Sequence, residues 1–233
     1  MKCSNFSLAI GIPLNFPWVP SSFFHSFIQM EKPTFHYIYA DSTGPIHELR
    51  NNIVEKAMSL GASHLLMCDV DQVYHPLTVT KLLSNKLDIC GALVCRRYVP
   101  FDSLMLKLVE IDEHTNGYES IDDFEPNSIV EVDAMGGGCT MFNMEVFRNM
   151  PYPWYKNDKP VNPGQPPIGE DIGLCQDLKA AGYRLFVDTS VPAGHLTTLI
   201  VNMATNKLYR ACKSAQAAKE ALKIDDPRDI AQC

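Results

Sequence analysis

Between Phe6 and Val94 four short apolar runs alternate with stretches of helical spacing, and this alternation sets the fold class. The runs are Phe6–Pro13 (F-S-L-A-I-G-I-P), Thr34–Ala40 (T-F-H-Y-I-Y-A), a run beginning at His64, and Leu87–Val94. Short continuous apolar runs suit strands buried on both faces. Between them lie an aromatic segment within 14–30, a helix opened by Pro45 and closed by Gly61, and a short helix started by Pro76. In the Pro45 helix, Ile46, Leu49, Ile53, Ala57 and Leu60 recur on one face. Phe23, Phe24 and Phe27 read as core. The resulting order, βαβαβαβ, predicts a mostly parallel central sheet flanked by helices, with right-handed crossovers.

Ligands in such sheets bind beyond the carboxyl ends of the strands, so the polar residues at those ends matter most. The third run, Leu65-Leu66-Met67-Cys68, stops at Asp69-Val70-Asp71. On an extended strand, Asp69 and Asp71 point the same way while Val70 points back to the core. Adjacent carboxylates repel, and a hard divalent cation with oxygen ligands relieves that repulsion. D-x-D alone is common, and acidic strand ends are usually solvated turns. Asp41 and Arg96, at the ends of the second and fourth runs, place further polar groups on the same rim.

The later chain is less regular. Leu104–Ile111 and Ser128–Val132 read as strands flanking an acidic stretch with Asn116-Gly117, a small antiparallel excursion. Gly136-Gly137-Gly138, before a short strand at Cys139–Phe142, implies a close approach of backbone to another group. Residues 151–167 hold six prolines with Tyr152, Trp154 and Tyr155; a loop of that length reads as a lid or binding loop. Trp154 either presents its ring to a sugar or anchors the loop from beneath. Gly169-Glu170-Asp171 opens a helix with Ile172, Cys175 and Leu178 on one face, where acids are favoured by the helix dipole alone. Tyr183–Val187 is the last strand, and Gly194-His195 follows it. Lys207–Lys223 reads as a packing or association helix through which the chain can oligomerise.

With 20 basic and 27 acidic residues the chain carries a formal charge of −7, against a nucleic-acid partner, which needs a basic footprint. Its 46% hydrophobic content supports a packed core. No apolar run reaches transmembrane length. Eight cysteines without a C-x-x-C read as reduced thiols in a cytoplasmic protein.

Taken in order, D-V-D, D-A-M-G-G-G-C, G-E-D, G-Y-R-L-F-V-D and G-H resemble the GT-A-fold glycosyltransferases. The likeness is strongest to compact family-2-type members of bacteria and their viruses, over about Phe6 to Leu196 of one domain spanning 1–233. The resemblance implies a metal-dependent transferase using a UDP- or GDP-sugar and an acceptor hydroxyl, glycan in type. Asp69, Asp71 and His195 then match the Mn²⁺ (or Mg²⁺) site, imidazole favouring manganese. Pro13, Asp41, Arg50, Asn51, Val70, Gly137 and Gly138 fall in the donor region. Asp171 matches the catalytic base of inverting members, with Glu170 as the fallback or, with Trp154, an acceptor contact. A retaining transferase, a sugar nucleotidyltransferase and a non-catalytic nucleotide- or glycan-binding module are the rival readings. The nucleotidyltransferase is disfavoured because Leu14-Asn15-Phe16-Pro17 stands where a basic Gly-rich loop belongs.

Overall fold

The computed structural model describes residues 6–41, 44–98, 100–112, 115–198, 203 and 207. Nearly all of the 207–223 segment read as a helix lies outside them. The first strand, β1 (Leu8–Leu14), is almost wholly buried and lies between β2 (Phe35–Asp41) and β3 (His64–Cys68), parallel to both. Helix α1 (Ser21–Gln29) and helix α2 (Ile46–Ser59) make the crossovers. Leu49, Ile53, Val54 and Ala57 of α2 are 0% exposed, each aliphatic side chain of that size contributing about 1.5–3 kcal/mol by burial. Ile53 lies so close to β1 that a Cβ on Gly11 would fall 2.2 Å from its Cγ2. Gly61, at φ +67°, ends α2 and lets Ala62 N–H reach back to the Ala57 carbonyl at 3.0 Å. Leu60 lies beyond the buried stripe and is exposed, as is Phe24 on α1, so two residues read as core face outward.

After β3 come β4 (Gln72–Tyr74), α3 (Thr78–Ser84) and β5 (Ile89–Val94). A three-stranded antiparallel sheet forms from β6 (Met105–Asp112), β7 (Thr115–Ser120) and β9 (Ala134–Met135), ordered β7-β6-β9. This is the expected excursion, although Asn116-Gly117 sits inside β7 rather than at its turn. Strand β8 (Ile129–Val132) leaves it to pair with β11 (Leu185–His195). Strand β10 (Cys139–Asn143) lies antiparallel between β3 and β5, then α4 (Met144–Arg148) and α5 (Glu170–Ala180) follow.

The large sheet is eight-stranded, in the order β2-β1-β3-β10-β5-β11-β4 with β8 on β11. It is mostly parallel with helices packed against it. The last strand does not stop at Val187. Its register shifts between Asp188 and Pro192, after which it continues beside β5 and pairs with β4. The polar Asp188-Thr189-Ser190 is tolerated inside the sheet because its groups are satisfied. Asp188 accepts from Ser190 N–H at 2.9 Å and from Asn85 Nδ2 at 2.8 Å. Cys68, Cys90, Cys95, Cys139 and Cys175 are free thiols. No described helix is long and apolar enough to cross a membrane.

Candidate functional site

The expected strand through Asp71 ends earlier. β3 stops at Cys68, and Asp69-Val70-Asp71 forms a tight turn into β4, because β4 must reverse to pair antiparallel with β11. Val70 is buried as expected, but the two acids part company. The turn is pinned at both ends: Asp69 N–H donates to the Gly138 carbonyl at 2.8 Å, and Leu196 N–H donates to the Asp71 carbonyl at 2.7 Å. Tyr74 Oη donates to the Asp69 carbonyl at 2.6 Å, with the Gly138 carbonyl at 3.1 Å.

Asp69 turns inward to Arg50. Arg50 Nη2 lies 2.9 Å from both Asp69 carboxylate oxygens, its Nε donates to Glu170 Oε1 at 3.0 Å, and its Nη1 donates to the Gly137 carbonyl at 3.1 Å. One side chain, 3% exposed, thus ties α2 to the D-V-D turn, the glycine segment and the start of α5. Burial opposes the Arg50 charge, but Asp69, Tyr155, Glu170 and Asp171 together outweigh it and hold the proton more firmly than usual. Burial pushes the Asp69 carboxyl up, with Asp71 and Asp171 adding to the rise and Arg50 opposing it. Burial likewise raises Glu170 against the pull of Arg50.

The glycines make this cluster fit. A Cβ on Gly138 would fall 2.1 Å from Gln72 Nε2 and 2.8 Å from Asp69 Oδ2, and one on Gly137 would fall 3.0 Å from Asp171 Cβ. Gly137 N–H donates to Asp171 Oδ2 at 3.0 Å, and Ile172 N–H donates to Asp171 Oδ1 at 2.8 Å. The close approach expected of the triple glycine is therefore to the acidic cluster itself.

Asp71 turns the other way. Its Oδ2 accepts from Arg97 Nη1 at 2.8 Å, and His195 Nε2 lies 3.4 Å from the same oxygen. His195 Nδ1 meets the Cys95 carbonyl at 2.8 Å, which assigns it the donor hydrogen and leaves Nε2 toward Asp71. Burial would raise Asp71, but the His195 hydrogen bond and charge, with Arg97, bring it below the usual carboxylate range. Burial would lower His195, but its bonds to Asp71 and the Cys95 carbonyl raise it. Among the described residues no group of three or more His, Cys, Asp or Glu side chains converges as a ready metal cluster. Asp71 and His195 do meet, and a carboxylate beside an imidazole whose other nitrogen is already bonded is a donor set suited to a divalent transition metal.

The remaining sequence-predicted residues divide. Pro13 and Asp41 lie at the carboxyl ends of β1 and β2, where Pro13 pairs with Ala40 and Leu14 with Asp41. Asn51 is buried and paired with the Tyr155 backbone at 2.9 and 3.0 Å, so it holds the proline-rich loop. Trp154 is 6% exposed, its Nε1–H shared by the Phe147 and Met150 carbonyls, and so anchors the loop rather than offering a ring to a sugar. A cleft of about 490 Å³ lies between that loop and α2, lined in part by His47, Glu48, Tyr152 and Lys156. Arg97 rather than Arg96 reaches Asp71, and Tyr74 supports the turn. Neither Arg97 nor Tyr74 stands out in the sequence. The two consecutive arginines were visible there, but not which one faces the rim.

No protein-family model matches the chain, and no curated protein matches it in sequence. Solved structures match it in fold. A197 from STIV aligns with a TM-score of 0.55 at 14% identity, over 83% of this chain and 87% of that one. GalNAc-T7, solved with UDP, GalNAc and Mn²⁺, aligns with a TM-score of 0.55 at 12% identity, over 83% of this chain and 44% of that one. At such identities the likeness is one of fold: a mixed α/β, GT-A-like architecture with a small antiparallel sheet beside the main one.

Proposed function

We propose that the chain is a metal-dependent glycosyltransferase that moves a sugar from a nucleotide-activated donor to an acceptor hydroxyl with inversion. The observation that carries this reading is the division of labour around one turn. Asp71 and His195 lie on one side of it, and Glu170 and Asp171 on the other, with Asp69 and Arg50 between them. The GT-A-like fold supports the transferase, and the UDP, GalNAc and Mn²⁺ found in GalNAc-T7 support the nucleotide-sugar donor and the metal. In this reading Asp71 and His195 hold the metal. A divalent ion bound there would act as a Lewis acid on the departing diphosphate.

The chain's own groups do the rest. Asp171, fixed by two backbone N–H groups, takes the proton of the acceptor hydroxyl, which is a poor nucleophile until it does. Arg50 is a positioning residue: it pins Asp69 at the D-V-D turn and Glu170 beside the base. Pro13 and Asp41 are assigned to the nucleoside end. The test is Asp171→Asn. Mn²⁺-dependent binding of the donor is expected to survive while transfer is lost. Retained transfer would move the base to Glu170 or point to retention.

A further inference from the structure

Resting on the metal-and-donor reading above, we propose that Arg97 is an exchangeable counter-ion. It pairs with Asp71 in the metal-free protein, yields to the divalent cation, and then takes up the donor's diphosphate. The two acids of the D-V-D turn have very different partners. The Arg50 side chain is 3% exposed and bonded to three groups, whereas the Arg97 side chain is 54% exposed and meets Asp71 through one nitrogen. An exposed ion pair of that kind is weak and opens to solvent readily. Displacing Arg50 would instead leave a buried guanidinium unpaired. Cation exchange is therefore directed to Asp71.

Arg97 does not drift away when it lets go. Its backbone follows β5 in a short segment closed by the Cys95–Ser103 bridge and by Arg96 N–H on the Asp102 carbonyl at 2.9 Å. The same segment supplies the carbonyl that orients His195. A guanidinium held at that place, released from a single-point contact, offers a planar fork matched to phosphate oxygens. The side chain thus opposes metal binding before the donor arrives and reinforces diphosphate binding afterwards. A merely structural arginine would not give effects of opposite sign.

The experiment uses the full chain as wild type, Arg97→Gln and, as a neighbouring control, Arg96→Gln. Mn²⁺ alone is titrated by electron paramagnetic resonance. UDP and GDP are then titrated calorimetrically at saturating Mn²⁺. Arg97→Gln should bind Mn²⁺ about two- to fivefold more tightly, from the worth of an exposed pair. It should bind the nucleoside diphosphate that the wild type accepts roughly tenfold more weakly, from the loss of charge-assisted hydrogen bonds. Arg96→Gln should change neither. Unchanged or weaker Mn²⁺ binding by Arg97→Gln, or unchanged diphosphate affinity, overturns the exchange. Absence of Mn²⁺ binding by the wild type overturns the metal reading itself, and the exchange with it.

Discussion

Replacing Arg50 by methionine keeps the length and apolar stem of the side chain and removes its charge. Asp69 and Glu170, which meet the guanidinium at 2.9 and 3.0 Å, would then be left facing one another without a cation. Losing one partner of a buried ion pair costs about 3–5 kcal/mol. Here the Asp69 and Glu170 side chains keep 25% and 14% exposure, so water recovers part of the loss and the lower end, about 3 kcal/mol, applies. For a chain of this length that is a fall in melting temperature of about 6–12 °C. The pH dependence has a definite sign. Both carboxyls already titrate above their ordinary values, and losing Arg50 raises them further. A raised folded-state value means that the protonated form is accommodated and the ionised form is penalised. The deficit is therefore small near the unfolded value of about 4 and grows as pH rises through the folded values. Urea unfolding at pH 5 and pH 8 measures it, and Arg50→Met/Asp69→Asn should recover part of the loss at pH 8. A deficit below about 1 kcal/mol at pH 8, or one equal at both pH values, would refute the reasoning.

Trp154→Phe should lower stability by about 1–2 kcal/mol through loss of the indole bonds to Phe147 and Met150, while leaving donor binding unchanged. A selective loss of glycan affinity without destabilisation would return Trp154 to the acceptor site. Gly138→Ala should cost about 1–3 kcal/mol, because its Cβ meets Gln72 and Asp69 in a packed region, and denaturant unfolding reads this directly. A neutral result would mean that the glycine segment does not press on the acids. His195 titrates above its usual 6.5, so its bond to Asp71 stabilises the fold below that pH and the gain is lost as pH rises through the raised value. Long-range ¹H–¹⁵N spectra should show that value falling in Asp71→Asn. Because a ligand imidazole must be neutral, Mn²⁺ affinity should also climb over the same interval; a flat profile would remove His195 from the site.

The fold was legible where a segment's pattern is decided locally. The stripe Leu49, Ile53 and Ala57, the stop at Gly61 and the apolar run ending at Cys68 carry their own structure. Asp69 and Asp71 were legible at a strand end and Glu170 and Asp171 at a helix start, but not that Arg50 joins Asp69 to Glu170. Other features depend on partners far along the chain. The local pattern ends the last strand at Val187, yet it runs on through polar residues because Asn85, 103 residues away, satisfies Asp188. The D-V-D reads as extended until β4 turns back onto β11. Arg50 reads as a donor contact until burial turns it toward two carboxylates and a carbonyl, and nothing in the local sequence tells Arg97 from Arg96.

The most direct measurement is release of nucleoside diphosphate from a panel of common nucleotide-sugars, with and without Mn²⁺, by wild type and Asp71→Asn. The account predicts release from at least one donor that requires Mn²⁺, stops with chelator and is lost in Asp71→Asn. Metal-independent release, or a panel on which no donor is either bound or turned over, would contradict it.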